Sequence, residues 1–158
     1  LGLVHGAMRL WTEEGSIDGC YGAKGSLSPA YTAPFNHPTC FVRRDVYDDI
    51  GLFDVSLPTA ADYDFMLRFI RSKYEARYID QVLTNFRQGG TTSQMTGSAY
   101  RQIWHVLRRN NYSWPRVLEA VGFRLLRDIA SYGTNNLFPR PVQRELRRWL
   151  PYHRSTSD

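Results

Sequence analysis

The sequence predicts an α/β fold that runs on into a helical tail, and three observations carry that expectation. Leu1 to Trp11 alternates in the manner of a half-buried strand; Thr59 to Ile70 joins helix-start chemistry to an apolar stripe at helical spacing; and from about Thr96 onward the chain is helical in pattern and strongly basic.

Taken in order, the strand Leu1–Trp11 is followed by a turn at Thr12-Glu13-Glu14-Gly15-Ser16 and a return strand at Ile17 to Tyr21. Gly22 to Phe35 is a loop by its content of Gly, Ser and Pro. Thr39 to Val42 reads as a short apolar strand, and Arg43 to Ile50 as a helix that Gly51 ends at its C′ position. Tyr74 to Ile79 and Val82 to Phe86 read as two more strands. Tyr100, Ile103, Trp104, Val106 and Leu107 line one face of an amphipathic helix, which Asn110 to Pro115 breaks. Val117 to Ile129 is the next helix, with Pro115 near its first turn and Gly133 near its end, and Pro141 to Leu150 is a third. His153 to Asp158 reads as a frayed end.

With 158 residues the chain is about one domain in size, and 42% hydrophobic content with 14% aromatics fits a buried core. No apolar run is long enough to span a bilayer. Cys20 and Cys40 lack metal-ligand spacing and read as reduced thiols of a cytosolic protein, with a single disulfide as the open alternative. The opening in mid-strand suggests a cut rather than a natural start. Charge is unevenly placed: residues 1–97 hold 9 basic and 11 acidic side chains, a net of −2, whereas residues 98–158 hold 11 and 4, a net of +7. Almost all of the positive charge is arginine, whose planar fork suits phosphate and anionic head groups.

The stretch with most chemistry is Thr59-Ala60-Ala61-Asp62-Tyr63-Asp64-Phe65-Met66-Leu67-Arg68. Thr59 followed by Asp62 and an apolar run has the form of a helix start near Ala60, with a hydroxyl for an orphan N–H and an acid in the first turn. Phe65, Met66, Phe69 and Ile70 share the inward stripe. Asp62 falls at the N-terminal end of that stripe, where it faces a cleft or acts as a plain helix-start acid worth about 0.3–1 kcal/mol. Asp64 falls on the polar face four residues before Arg68, the spacing of an ordinary surface ion pair.

Pro34-Phe35-Asn36-His37-Pro38-Thr39-Cys40-Phe41-Val42-Arg43-Arg44 and Gly51-Leu52-Phe53-Asp54 precede this stretch, and Asn85-Phe86-Arg87-Gln88-Gly89-Gly90-Thr91-Thr92-Ser93 follows it. In this order and spacing the motifs of residues 1–95 resemble the C-terminal half of the catalytic domain of family 2 glycosyltransferases. The resemblance implies the C-terminal half of a GT-A fold with a short mixed sheet, and an inverting transfer of a hexosyl group from a nucleotide sugar to a sugar or lipid-linked acceptor. Asp62 then matches the second acid of the family's Glu-Asp motif, the catalytic base, with Ala61 in place of the usual preceding acid. His37, Arg43, Asp64 and Arg87 become substrate-binding candidates. Arg87 enters a Gly/Thr/Ser loop of a composition that wraps a diphosphate, although the histidine many relatives carry there is missing. A divalent cation, magnesium or manganese, is implied for the parent enzyme with ligands outside this chain, so no metal ligand is assigned among these residues.

The same resemblance implies a fragment that is inactive alone, from a cytoplasmic bacterial enzyme of surface polysaccharide or glycolipid synthesis. Residues 96–158 form a helical basic extension. The Arg and Trp pattern of Pro141–Leu150 suits either packing on the catalytic domain or contact with an anionic membrane surface. An exposed sheet edge where the other half belongs would favour a homodimer. The rival reading is a non-catalytic binding or scaffold module that uses the basic tail. A nucleic-acid partner is disfavoured, because the aromatics fall at core spacing and the first part of the chain is acidic.

Overall fold

A computed structural model describes residues 1–11, 17–21, 28–87 and 97–137. The chain is a mixed α/β structure built on one long strand, β1 (Leu3–Trp11). Along one edge β1 pairs in parallel with β4 (Ala76–Arg87) over its whole length. It also pairs antiparallel with β2 (Ile17–Tyr21) through its second half and with β3 (Phe41–Val42) through its start. The strand expected at Thr39–Val42 is thus reduced to two residues, because His37–Thr39 closes into a 3₁₀ turn with Pro38 in its first positions. Between them run α1 (Arg44–Ile50) and α2 (Ala61–Ile70), and α3 (Gly97–Arg109) and α4 (Trp114–Leu137) follow β4.

The two strands expected after α2 are one. The register with β1 slips between Ile79 and Val82, so the intervening Asp80 and Gln81 form a bulge within a continuous strand. Gly6 of β1 lies against it: a Cβ there would stand 2.8 Å from the Gln81 carbonyl oxygen and 2.7 Å from the Leu83 side chain, so only glycine lets the strands approach. Gly51 does end α1, but as its C-cap residue with a φ of 85°, a value that favours glycine.

α2 divides the core. Phe65, Met66 and Phe69 pack with Leu3, Phe35 and Val46 beneath the sheet, while Tyr63 and Leu67 pack with Ile103, Val106 and Leu107 of α3 and Val117 and Ala120 of α4. The helix is therefore apolar on two sides. Ile70, expected in the stripe, is 37% exposed, and Leu67 takes a fully buried place instead. The helices after residue 97 share this second cluster with α2, each large side chain contributing roughly 1.5–3 kcal/mol by burial.

α3 ends by using asparagine in two ways. Asn111 takes the left-handed conformation (φ 57°), the Tyr112 N–H donates to the Leu107 carbonyl and the Asn111 N–H to the Arg108 carbonyl. This is the bonding of a left-handed helix stop. Asn110 turns inward, and its Nδ2 donates to the Val106 carbonyl and to Asp64 Oδ1. α4 begins with Pro115 in its first turn, where its missing N–H costs nothing, and continues through Gly133 to Leu137, past the end expected from the sequence. Gly133 lies in open space, so its small size interrupts no packing. Trp114, Leu118, Leu125, Ile129 and Tyr132 leave one long face of α4 exposed. Among the described residues no helix is long and apolar enough to cross a membrane. The turn expected at Thr12–Ser16, the Gly/Thr/Ser loop after Arg87 and the helix expected at Pro141–Leu150 lie outside the described residues.

Asp64 corrects the sequence reading most sharply. Expected at the surface, it has no solvent exposure at all. Arg68 Nε donates to Oδ2 at 2.9 Å, Asn110 Nδ2 to Oδ1 at 3.1 Å, and Arg109 Nε lies 3.8 Å from Oδ1. The i, i+4 pair with Arg68 forms as the spacing predicts, but α3 closes over the face that the sequence marks as polar. A wholly buried, fully bonded carboxylate has no surface to offer a substrate.

Removing one partner of such a buried pair leaves a charge uncompensated. Asp64→Ala is accordingly expected to lower unfolding free energy by roughly 3–5 kcal/mol, and Asp62→Ala, which removes only a helix-start acid, by about 1 kcal/mol or less. Urea titrations of both variants decide the matter. Equal losses would contradict the division of roles between the two acids.

Candidate functional site

The connection between α1 and α2, residues 51–60, forms one wall of an open cleft of about 260 Å³ lined by His37, Phe53, Pro58, Thr59, Ala61 and Asp62. Its shape follows from how the segment is pinned. Arg68, reaching out of α2, donates to the carbonyls of Ile50, Gly51 and Leu52, and so caps the end of α1 from a neighbouring helix. Asp54 Oδ1 accepts from the N–H and hydroxyl of Ser56, an Asx turn, and its Oδ2 receives Arg109 Nη1 at 2.5 Å. Thr59 donates both its N–H and its hydroxyl to Gln102 Oε1, at 3.0 and 2.9 Å.

That last contact alters the expected helix start. Thr59 does not cap α2: the N-cap is Ala60, whose side chain offers nothing, and the threonine is committed to α3. The orphan donor is met by Asp62 instead, whose Oδ1 accepts the N–H of Tyr63 at 2.7 Å. The remaining oxygen of Asp62 has no partner among the described residues. The side chain is half-buried at the mouth of α2 and borders the cleft.

His37 opens the 3₁₀ turn that precedes β3 and is exposed on the opposite wall. The turn is held down from beneath. Thr39 donates its hydroxyl to the Asn36 carbonyl at 2.8 Å and accepts from the Gly6 N–H at 3.2 Å, and Thr84 of β4 donates to the Pro38 carbonyl at 2.8 Å. The Cys40 thiol donates to the same Asn36 carbonyl, with Sγ 3.4 Å from the oxygen. The imidazole sits edge-on to the ring of Phe53, centroids 5.7 Å apart at 82°. Phe53 in turn leans on Phe65 at 4.8 Å, and Phe65 stacks on Tyr47 at 5.1 Å, so the cleft wall is the outer end of a column of core rings.

Two of the five candidate residues therefore meet: Asp62 and His37 border one cleft. Arg43 does not join them. Its guanidinium is taken up locally, donating to both oxygens of Asp45 and to the Leu1 carbonyl, and the Asp45 carboxylate holds its pKa above the ordinary arginine value. Arg87 is the exposed last residue of β4, in register with Trp11, and is not among the residues that line the cleft. Asp64 is buried behind the site. Phe53, Gln102 and Arg109 carry no motif, and sequence reasoning passed over them. Only the Gly-Leu-Phe-Asp turn hinted at the first, and nothing local marks the other two, since their partners are more than 40 positions away.

Among the described residues no cluster of three or more His, Cys, Asp or Glu side chains is placed to hold a metal ion. The donors the cleft does offer are one carboxylate and one imidazole, too few to cage a divalent cation. They suit proton transfer and hydrogen bonding.

The pin at Asp54 is sensitive to acid. Hydrogen bonds from Ser56 and then Arg109 stabilise its charged form and hold its pKa at about 2 against 3.8 for a free aspartate. A folded-state value below the unfolded one gives stability that is fully present above pH 4 and is lost as the pH falls through 2. Asp54→Asn is thus expected to be less stable than the parent chain at pH 6, with the gap closing between pH 4 and 2. Thermal unfolding across that range measures it, and a gap independent of pH would show that the carboxylate does not fix the loop.

Comparison with known protein families, with curated proteins and with solved structures finds no match to this chain.

Proposed function

We propose that the chain is the acceptor-side half of an inverting, nucleotide-sugar-dependent glycosyltransferase of the GT-A fold, with Asp62 as its base. The observation that carries the reading is the convergence of Asp62 and His37 on one cleft of about 260 Å³. Ligand pockets for larger molecules begin near 300 Å³, so this one suits a single sugar ring. The motifs of residues 34–93 add their order and spacing to it.

In this reading the acceptor hydroxyl enters between Asp62 and His37. Its oxygen attacks the anomeric carbon of the donor while the bond from that carbon to the diphosphate breaks, and the diphosphate departs with the electron pair. The hydroxyl proton passes to the free oxygen of Asp62, and the sugar's configuration inverts. His37 hydrogen-bonds the acceptor and sets its approach. Bound to the donor half, a divalent cation would neutralise the diphosphate; the donor set of this cleft does not fit one, and its ligands belong outside these residues. Arg87, at the end of β4, is the residue of this chain nearest in sequence to the loop expected to meet the diphosphate. β4 supports the reading in a second way. Its side chains are largely exposed, and among the described residues it pairs only with β1, which is the surface a donor-binding half would cover. The parent enzyme would work in the cytoplasm at the inner face of a membrane, where nucleotide sugars meet lipid-linked acceptors.

The test is sugar transfer by the parent polypeptide with Asp62 intact and with Asp62→Asn, which keeps the bond from Tyr63 and removes the base. Turnover is expected to fall about 10²–10⁴-fold with the fold retained. Undiminished transfer by the variant would take Asp62 out of the mechanism.

A further inference from the structure

The cleft wall carries one aromatic ring that proton transfer does not use, the outer face of Phe53. Phe53 is half-buried, whereas the other phenylalanines of the adjoining core, Phe35, Phe65 and Phe69, are 8%, 3% and 1% exposed. The chain brings the ring of Phe53 to the cleft wall, next to the still more exposed Leu52 and Val55.

The segment is also unusually well held for an exposed connection. Arg68 fixes the carbonyls on one side of Phe53, the bond from Arg109 to Asp54 fixes the next residue, and Thr59 is tied to Gln102. From behind, Phe65 and Tyr47 support the ring itself. An aromatic surface that stays in place without a ligand loses little entropy on receiving one. Beside it stand the carboxylate of Asp62 and the imidazole of His37, so the cleft pairs one apolar ring with polar groups at its rim.

We propose that Phe53 is the stacking platform for the acceptor sugar, and that the acceptor's terminal unit is a pyranose that presents a face of ring C–H groups. Such a ring is amphipathic in the same sense as the cleft: its flat C–H face lies on an aromatic side chain while its edge hydroxyls reach a carboxylate and an imidazole. The proposal rests on the acceptor reading of this cleft and narrows it to a substrate class. Stacking also fixes which edge hydroxyl meets Asp62, so Phe53 sets the linkage by position and takes no part in proton transfer.

Saturation-transfer NMR on the chain itself tests this, with methyl β-D-glucopyranoside and methyl β-D-galactopyranoside as probes, sorbitol as an open-chain polyol, and uridine as a nucleoside that also stacks. The expected result is saturation of a methyl glycoside at ring protons of one face, H1, H3 and H5 for the glucoside, with little at sorbitol. Phe53→Ala should raise Kd about tenfold or abolish the signal, and Phe53→Trp should keep it. Phe53→Leu, which preserves apolar packing, guards against loss through misfolding: it must keep the parent's unfolding midpoint and still bind weakly. Glycoside binding that survives in Phe53→Ala, equal saturation of sorbitol, or saturation of uridine alone would overturn the platform. The two readings fail separately. Phe53-dependent glycoside binding with transfer indifferent to Asp62→Asn would leave the platform and remove the base; Asp62-dependent transfer indifferent to Phe53→Ala would do the reverse.

Discussion

A carboxylate without access to water must be neutralised from within, and Asp64 draws its partners from separate parts of the chain. Arg68 comes from its own helix, while Asn110 and Arg109 come from the end of α3. The arginines do not stop there. Arg68 continues to the carbonyls that end α1, and Arg109 continues to Asp54 in the following turn. One buried charge thus connects α1, α2, α3 and the segment that walls the cleft. Each guanidinium has donors enough to serve Asp64 and a second site at once, which a lysine could not do in the same fixed geometry.

The apolar core supports the same arrangement from both sides of α2. One cluster lies between α2 and the sheet and the other between α2 and the helices after residue 97. With both flanks packed, α2 has little freedom to shift, and its N-terminus, where Asp62 meets the N–H of Tyr63, is presented at a defined place. Tyr63 adds to this by donating its hydroxyl to the carbonyls of Pro29 and Ala30, tying the loop before the 3₁₀ turn to the same helix. Burial beside that loop pushes the tyrosine up to about 12, so it remains a neutral donor over any ordinary pH.

This rigidity extends to the cleft. Its polar groups are few, and each belongs to an element that is fixed for another reason: Asp62 to a helix start, His37 to a turn pinned by Thr39 and Thr84, Phe53 to a column of core rings. A single carboxylate beside an imidazole and an aromatic surface is a modest set of tools. In the function proposed here, binding and one proton transfer are the contribution of this side.

Much of this was legible from the residues. Strand alternation marked β1 and β2, Gly51 marked the end of α1, the apolar period marked α2 and α3, and Asn110 to Pro115 marked the break between α3 and α4, because each of these signals is local. The sequence also named Asp62 and His37 as residues of interest, through motif order. It also set Asp62 toward a cleft and Asp64 on a polar face. What it could not decide was that Asp64 is sealed in, because only the packing of α3 over that face turns a surface ion pair into a buried anchor. The same holds for Thr59, whose hydroxyl fits a cap until Gln102 arrives from 43 positions away, and for the two strands that merge across the bulge at Asp80 and Gln81 once β1 supplies a common partner. The sequence by itself determined where most helices and strands lie, since those follow from backbone preference and period within a few residues. The tertiary structure decided which side chains meet, since a contact between distant positions depends on how whole elements pack.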